Sequence, residues 1–82
     1  MNNTIHIITN EGVISDCIEI EMNGESQTIK NCDANWMRLY ALSTYSINTF
    51  SQKHISWDGT ETITPWEQSP TFIARRRLFK TV

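Results

Sequence analysis

The chain has 82 residues, a formal net charge of −2, a hydrophobic fraction of 39% and a charged fraction of 20%. Those values describe one small globular domain spanning residues 1–82, and they exclude a disordered chain or a broadly basic nucleic-acid binder. No apolar run reaches membrane-spanning length, and the opening MNNTIHIITN lacks the basic and apolar regions of a secretory signal, so a cytoplasmic protein is expected.

Thr4–Ile8 is β-rich and runs into Asn10-Glu11-Gly12, which suits a three-residue hairpin loop with Gly12 left-handed. Residues 13–22 alternate as a second strand. Asn23-Gly24 is a strong two-residue hairpin signal, and residues 26–31 return as a third strand. The first loop pairs Ile8 with Ile14, His6 with Asp16 and Thr4 with Ile18. The second pairs Ile18 with Ile29, Ile20 with Gln27 and Cys17 with Lys30. This register gathers Ile8, Ile14, Ile18, Ile20, Met22 and Ile29 on a core face, crossed by a polar row of His6, Asp16 and Asn31.

Asp33 is placed to cap a helix in which Trp36, Tyr40, Ser43, Ile47 and Phe50 recur at helical steps, weakening after Ser43. His54–Trp66 reads as a hairpin around Asp58-Gly59, closed by Pro65. The last segment fits two states. Ser69 and Pro70 suit a helix start, whereas Thr71-Phe72-Ile73 and Phe79-Lys80-Thr81-Val82 favour a strand, which is preferred. The expected architecture is α+β: an antiparallel β-meander with one central helix packed on it, then a β-hairpin and a terminal strand or short helix.

Charge is unevenly distributed. Residues 1–34 hold Glu11, Asp16, Glu19, Glu21, Glu25 and Asp33 against Lys30, while the remainder holds most of the basic groups, including Arg75-Arg76-Arg77. Arg76 falls on an apolar face beside Phe72 in either reading of the tail. A buried guanidinium needs an acceptor, so Arg76 is expected to be structural, with Asp16 as its partner and His6–Asp16 as a further structural pair. Arg75, Arg77, Lys80 and Lys53 are candidate binding cations, with Trp57 and Trp66 as candidate aromatic anchors.

His6, Cys17, Cys32 and His54 are suitable metal-ligand types but lack paired spacing, so no metal site is expected. Cys17 and Cys32 are expected as free thiols, diagonal neighbours on adjacent strands. There is no glycine-rich phosphate loop and no nucleophile elbow, and two histidines give little choice of general base. Catalysis and a cofactor are therefore not expected.

These residues favour a non-enzymatic protein-binding module that occupies a partner protein's surface. Isoleucine, threonine and asparagine are used heavily, as in AT-rich genomes. In size and style the chain is similar to small phage or mobile-element inhibitors of host proteins, including anti-CRISPR-like counter-defence proteins. A nucleic-acid binder using the C-terminal arginines is the alternative, followed by a homodimer or a subunit of a larger assembly.

Overall fold

The computed structural model describes residues 2–80; Thr81 and Val82, included above in a terminal strand, lie outside the described residues. The elements, in chain order, are β1 (Asn3–Asn10), β2 (Cys17–Met22), β3 (Glu25–Lys30), α1 (Asp33–Ser43), β4 (Asn48–Ile55), β5 (Glu61–Pro65), a 3₁₀ turn Trp66–Gln68 and α2 (Pro70–Phe79). The strands form one sheet in the order β3-β2-β1-β4-β5. This is an α+β fold with the expected antiparallel β1-β2-β3 meander and the expected β4-β5 hairpin. Its centre differs from expectation, because β4 pairs with β1 in parallel, from Asn3↔Asn48 to Asn10↔Ile55.

The second turn forms as its residues require. Asn23 (φ 52°) and Gly24 (φ 87°) both take left-handed conformations, which matches the twist of the flanking strands. It sets Ile18↔Ile29, Ile20↔Gln27 and Cys17↔Lys30. Gly24→Ala is expected to cost about 1–2 kcal/mol of stability. The extra methyl meets nothing nearby, so the penalty is conformational, and urea denaturation measures it.

The first turn does not close as expected. Gly12 is left-handed (φ 72°), but the chain runs outward through residues 13–16 before β2 begins at Cys17. His6 pairs with Glu21, not Asp16, and Ile7 pairs with Ile20. The physical reason is parity. The observed register puts Ile5, Ile7, Ile18 and Ile20 on one face, all nearly inaccessible, whereas the expected one would bury Thr4, His6 and Asp16 among isoleucines. Ile14, expected in the core, is fully exposed.

α1 ends at Ser43, so Ile47 lies in the following turn and Phe50 belongs to β4 instead of extending a helical stripe. Its N-cap is Cys32, with Asp33 as the first helical residue. The tail is a helix and not a strand. Ser69 Oγ accepts a hydrogen bond from the Phe72 N–H at 3.2 Å, and Pro70 occupies the first turn, where its missing N–H costs nothing.

Both helices and the 3₁₀ turn pack on the sheet face carrying Ile5, Ile7, Ile18, Ile20 and Phe50. Trp66 lies at the centre of this layer, 3% exposed, which corrects its candidacy as a surface anchor. Pro65 ends β5, and the 3₁₀ turn folds the indole inward beside Trp36 (6.4 Å, stacked), Phe50 (5.1 Å) and Phe72 (5.6 Å).

Candidate functional site

Because β1, β3 and β4 run in one direction, three connections meet at one end of the sheet. They are the loop of residues 11–16, the β3–α1 junction and the β4–β5 turn. Here β1 and β2 part after the Ile8↔Glu19 pair, although β1 continues along β4 to Asn10 and β2 along β3 from Cys17. A groove of about 690 Å³ opens at the parting, lined by Ile7, Thr9, Ile18 and Trp36, with Ala74 and Arg75 of α2.

The 11–16 loop is braced at both roots. At one, the Glu11 N–H donates to the Ile55 carbonyl at 2.8 Å, and the Trp57 ring lies so close to Gly12 that a Cβ there would collide with it. At the other, the Asn31 N–H donates to the Asp16 carbonyl at 2.8 Å and Asn31 Nδ2 donates to the Ser15 carbonyl at 3.2 Å. Asn31 Oδ1 also accepts from Trp36 Nε1 at 2.7 Å, which ties the loop to α1. Between the roots, Val13 is 62% exposed and Ile14 fully so, and Trp57 on the neighbouring turn is 81% exposed. Other exposed apolar side chains are dispersed: Tyr45 and Ile47 in the α1–β4 connection, Ile63 on β5 and Ile73 on α2.

A polar chain runs behind the groove, and its direction follows from its ends. The Thr71 N–H can only donate, so Gln52 accepts it through Oε1 (3.1 Å) and presents Nε2 to Thr9 Oγ1 (2.8 Å). The Glu11 carboxylate can only accept, so His54 donates to it through Nε2–H (2.6 Å); in the neutral imidazole Nδ1 then accepts the Thr9 hydroxyl proton (2.8 Å). Glu11, His54 and Thr9 have the connectivity of a catalytic triad. Yet the Thr9 oxygen is engaged by Gln52 as well as by His54, and the same bonds tie α2 to the sheet and the sheet to the loop. The arrangement reads as positioning, with Gln52 buried at its centre.

The arginine triplet divides differently from expectation. Thr71, Phe72, Arg75, Leu78 and Phe79 form the partly or fully buried face of α2, so the helical phase turns Arg75 inward and Arg76 outward. The Arg75 guanidinium stacks on Trp36 at 4.2 Å. Arg76 is exposed and makes no ion pair with Asp16, which is itself exposed in the loop; among the described residues Lys53 is ion-paired with Glu21, while Glu11 is hydrogen-bonded to His54. His6 lies opposite Glu21, and its Nδ1 is buried without a protein partner. Lys53, at 3.2 Å from Glu21 and largely buried, is not a free binding cation. Arg77 and Lys80 stay exposed in the last turn and C-cap of α2. Arg75→Ala is expected to lose about 0.5–2 kcal/mol from its half-buried cation–π contact. Arg76→Ala and Arg77→Ala should each change stability by about 0.5 kcal/mol or less. Thermal melts of the three variants distinguish this order from the sequence expectation, which singled out Arg76.

Cys17 and Cys32 are free thiols, Cys32 lying beyond the end of β3. Among the described residues no group of three or more histidine, cysteine or acidic side chains could hold a metal ion, and no helix is long and apolar enough to cross a membrane. Comparison with protein-family models, with curated proteins and with solved structures finds no match.

The site's most informative residues are Val13 and Ile14, which sequence reasoning assigned to a strand. The signal available was the five-residue run Gly12–Asp16, where the strand alternation before Cys17 mixes small polar and apolar residues. Trp57 is the candidate anchor that the fold leaves exposed.

Proposed function

We propose that the protein is a non-enzymatic protein-binding module whose contact surface is the loop end of the sheet. The observation that carries this reading is the exposure of Val13, Ile14 and Trp57 together on two loops braced against each other. Large apolar groups presented on a fixed backbone are costly in water and gain most when a partner covers them. Tryptophan is also enriched among residues that dominate interface energetics. The fold favours protein over nucleic acid as the partner. Arg75 is held on Trp36 and Lys53 on Glu21, which leaves Arg38, on α1, and Arg76, Arg77 and Lys80, on and after α2, as the exposed remainder of the basic half.

Photo-crosslinking in the native cell tests the reading. A benzophenone side chain at position 14 should capture a discrete protein, and the same probe at position 73 on α2 should not. Ile14→Asp should abolish co-purification of that protein while leaving the melting temperature unchanged, since Ile14 contributes no burial. Capture from position 73 alone, or capture of nucleic acid, would overturn the proposal.

A further inference from the structure

We propose that the free edge of β3 pairs with β3 of a second copy of this chain, antiparallel across a two-fold axis through Thr28, giving one continuous sheet with five strands from each copy. The pairing does not rest on the loop end being a contact surface; it sets how two such surfaces are presented.

β3 is an end strand, with β2 on its inner side. The Asn31 N–H donates to the Asp16 carbonyl at 2.8 Å, which fixes the phase of the β2–β3 ladder: residues 25, 27, 29 and 31 turn their backbone groups toward β2. Ser26, Thr28 and Lys30 turn theirs outward. Of these outward groups only the Lys30 carbonyl has a partner among the described residues, Asn35 Nδ2 at 2.8 Å, and its second lone pair stays available. Folded proteins blunt such edges with a proline, a bulge or a charge in mid-strand. β5, the opposite edge, is five residues long and ends in Pro65, which has no N–H to offer. β3 has six residues, carries charge only at its ends, and exposes every residue except the half-buried Ile29. A row of alternating donors and acceptors is met by another extended strand.

The sequence of β3 fits a second copy of itself. Across a two-fold axis, outward residues must meet outward residues. Centring the pair on Thr28 sets Ser26 opposite Lys30 and uses all three outward residues of each copy; centring it on Gln27 or Ile29 uses two. On the open face of the sheet, Ser26 lies beside Glu21 and Thr28 beside Glu19. The second copy's Lys30 then reaches over the small Ser26 toward Glu21 and, diagonally, Glu19, across two strand spacings of about 4.8 Å each. Lys30 and Glu19 are exposed, and neither is ion-paired among the described residues. Symmetry makes this contact twice. On the helix face, the same register sets the second copy's Ile29 opposite Gln27. That is the mouth of a groove of about 220 Å³ between β3 and α1, whose accessible apolar walls are the half-buried Met22, Ile29 and Leu42. Antiparallel pairing also points the two loop ends in opposite directions, so a dimer joins two partner molecules.

Sedimentation velocity from about 1 µM to about 1 mM should show a monomer–dimer equilibrium, as befits a small interface. Thr28→Pro removes an outward N–H without breaking the β2–β3 ladder. It should raise the dimer dissociation constant at least about tenfold while the dilute protein melts at nearly the same temperature. Lys30→Glu and Glu19→Lys should each weaken self-association similarly, and an equimolar mixture of the two should restore it, because both contacts across the axis then join opposite charges. Ile14→Asp should leave dimerisation unchanged, which separates this surface from the loop end. Amide exchange at Ser26, Thr28 and Lys30 should slow as concentration rises, with Ile63 on β5 unaffected. A chain still monomeric at about 1 mM, a dimer indifferent to Thr28→Pro, or slowed exchange at Ile63 alone would overturn the proposal. No recovery in the mixed variants would overturn the Thr28-centred register. If the chain is monomeric and a benzophenone side chain at position 28 captures another protein in the cell, a strand of that protein is the occupant and self-pairing is overturned.

Discussion

Trp66→Ala is expected to destabilise the protein by about 3–5 kcal/mol, the range for removing a large aromatic side chain from a closed core. The indole is 3% exposed and touches the core from every layer: Trp36 on α1, Phe50 on β4, and Phe72 and Phe79 on α2. Its removal leaves a void bounded by large rings on separate elements, which cannot collapse into it without shifting both helices. Small domains lie at the low end of the usual stability range of about 5–15 kcal/mol, so much of the population should be unfolded at ambient temperature. Urea denaturation followed by near-ultraviolet circular dichroism measures the loss. Trp66→Phe keeps part of the packing and should fold, giving a measurable intermediate value. Trp57→Ala provides the contrast: that ring is 81% exposed, and its loss should cost about 1 kcal/mol or less. Similar losses at the two positions would contradict the placement of both rings.

The parts of the fold legible in the sequence are those set by short-range chemistry. Asn23-Gly24 fixes a two-residue turn, and a two-residue turn leaves one register for β2 and β3. Ser69-Pro70 likewise carries a helix start, although the β-branched and aromatic residues after it argue for a strand; the hydrogen bond from the Phe72 N–H to Ser69 Oγ decides between them. Gly12 adopts the conformation its turn requires, yet this does not force the chain to return at once. The return is set by which isoleucines of β1 and β2 can be buried together, a sum over two strands that no local stretch contains. The parallel pairing of β1 with β4 is more remote still, joining residues 45 positions apart, with a side-chain hydrogen bond between Asn3 and Asn48 at its start.

The same distinction applies to the site. Trp57 could be named from its residue type, but the patch around it depends on the outward course of residues 13–16, which follows from the β1–β2 register. The arginines show how a correct question takes a wrong answer when the helical phase is unknown. Arg76 shares a face with Phe72, Ala74 and Leu78 in a strand and lies between Phe72 and Phe79 in a helix, so it reads as the inward residue in either state. The inward face also includes Thr71 and Leu78, which moves its centre to Arg75.

Gln52→Leu should cost about 2–4 kcal/mol, because it strands two partners at once and a buried polar group left without one costs about 1–3 kcal/mol. Thr71 N–H in the first turn of α2 loses its acceptor, and Thr9 Oγ1 loses its donor. Gln52→Glu is the sharper test, since shape and size are retained. One oxygen of the new carboxylate can still accept from Thr71, but the other faces Thr9 with no proton to give. The Thr9 hydroxyl then turns toward the carboxylate, His54 Nδ1 loses its donor, and the bond that orients Nε2–H toward Glu11 is no longer reinforced. If the chain acts as one unit, amide hydrogen exchange should quicken at Glu11, whose N–H bonds Ile55 at the loop root, although Gln52 lies on β4 and Glu11 beyond the end of β1. Faster exchange at Thr71 with no change at Glu11 would show that the α2 contact and the loop contact are separate. The polar chain would then stabilise the core without holding the binding loop in place.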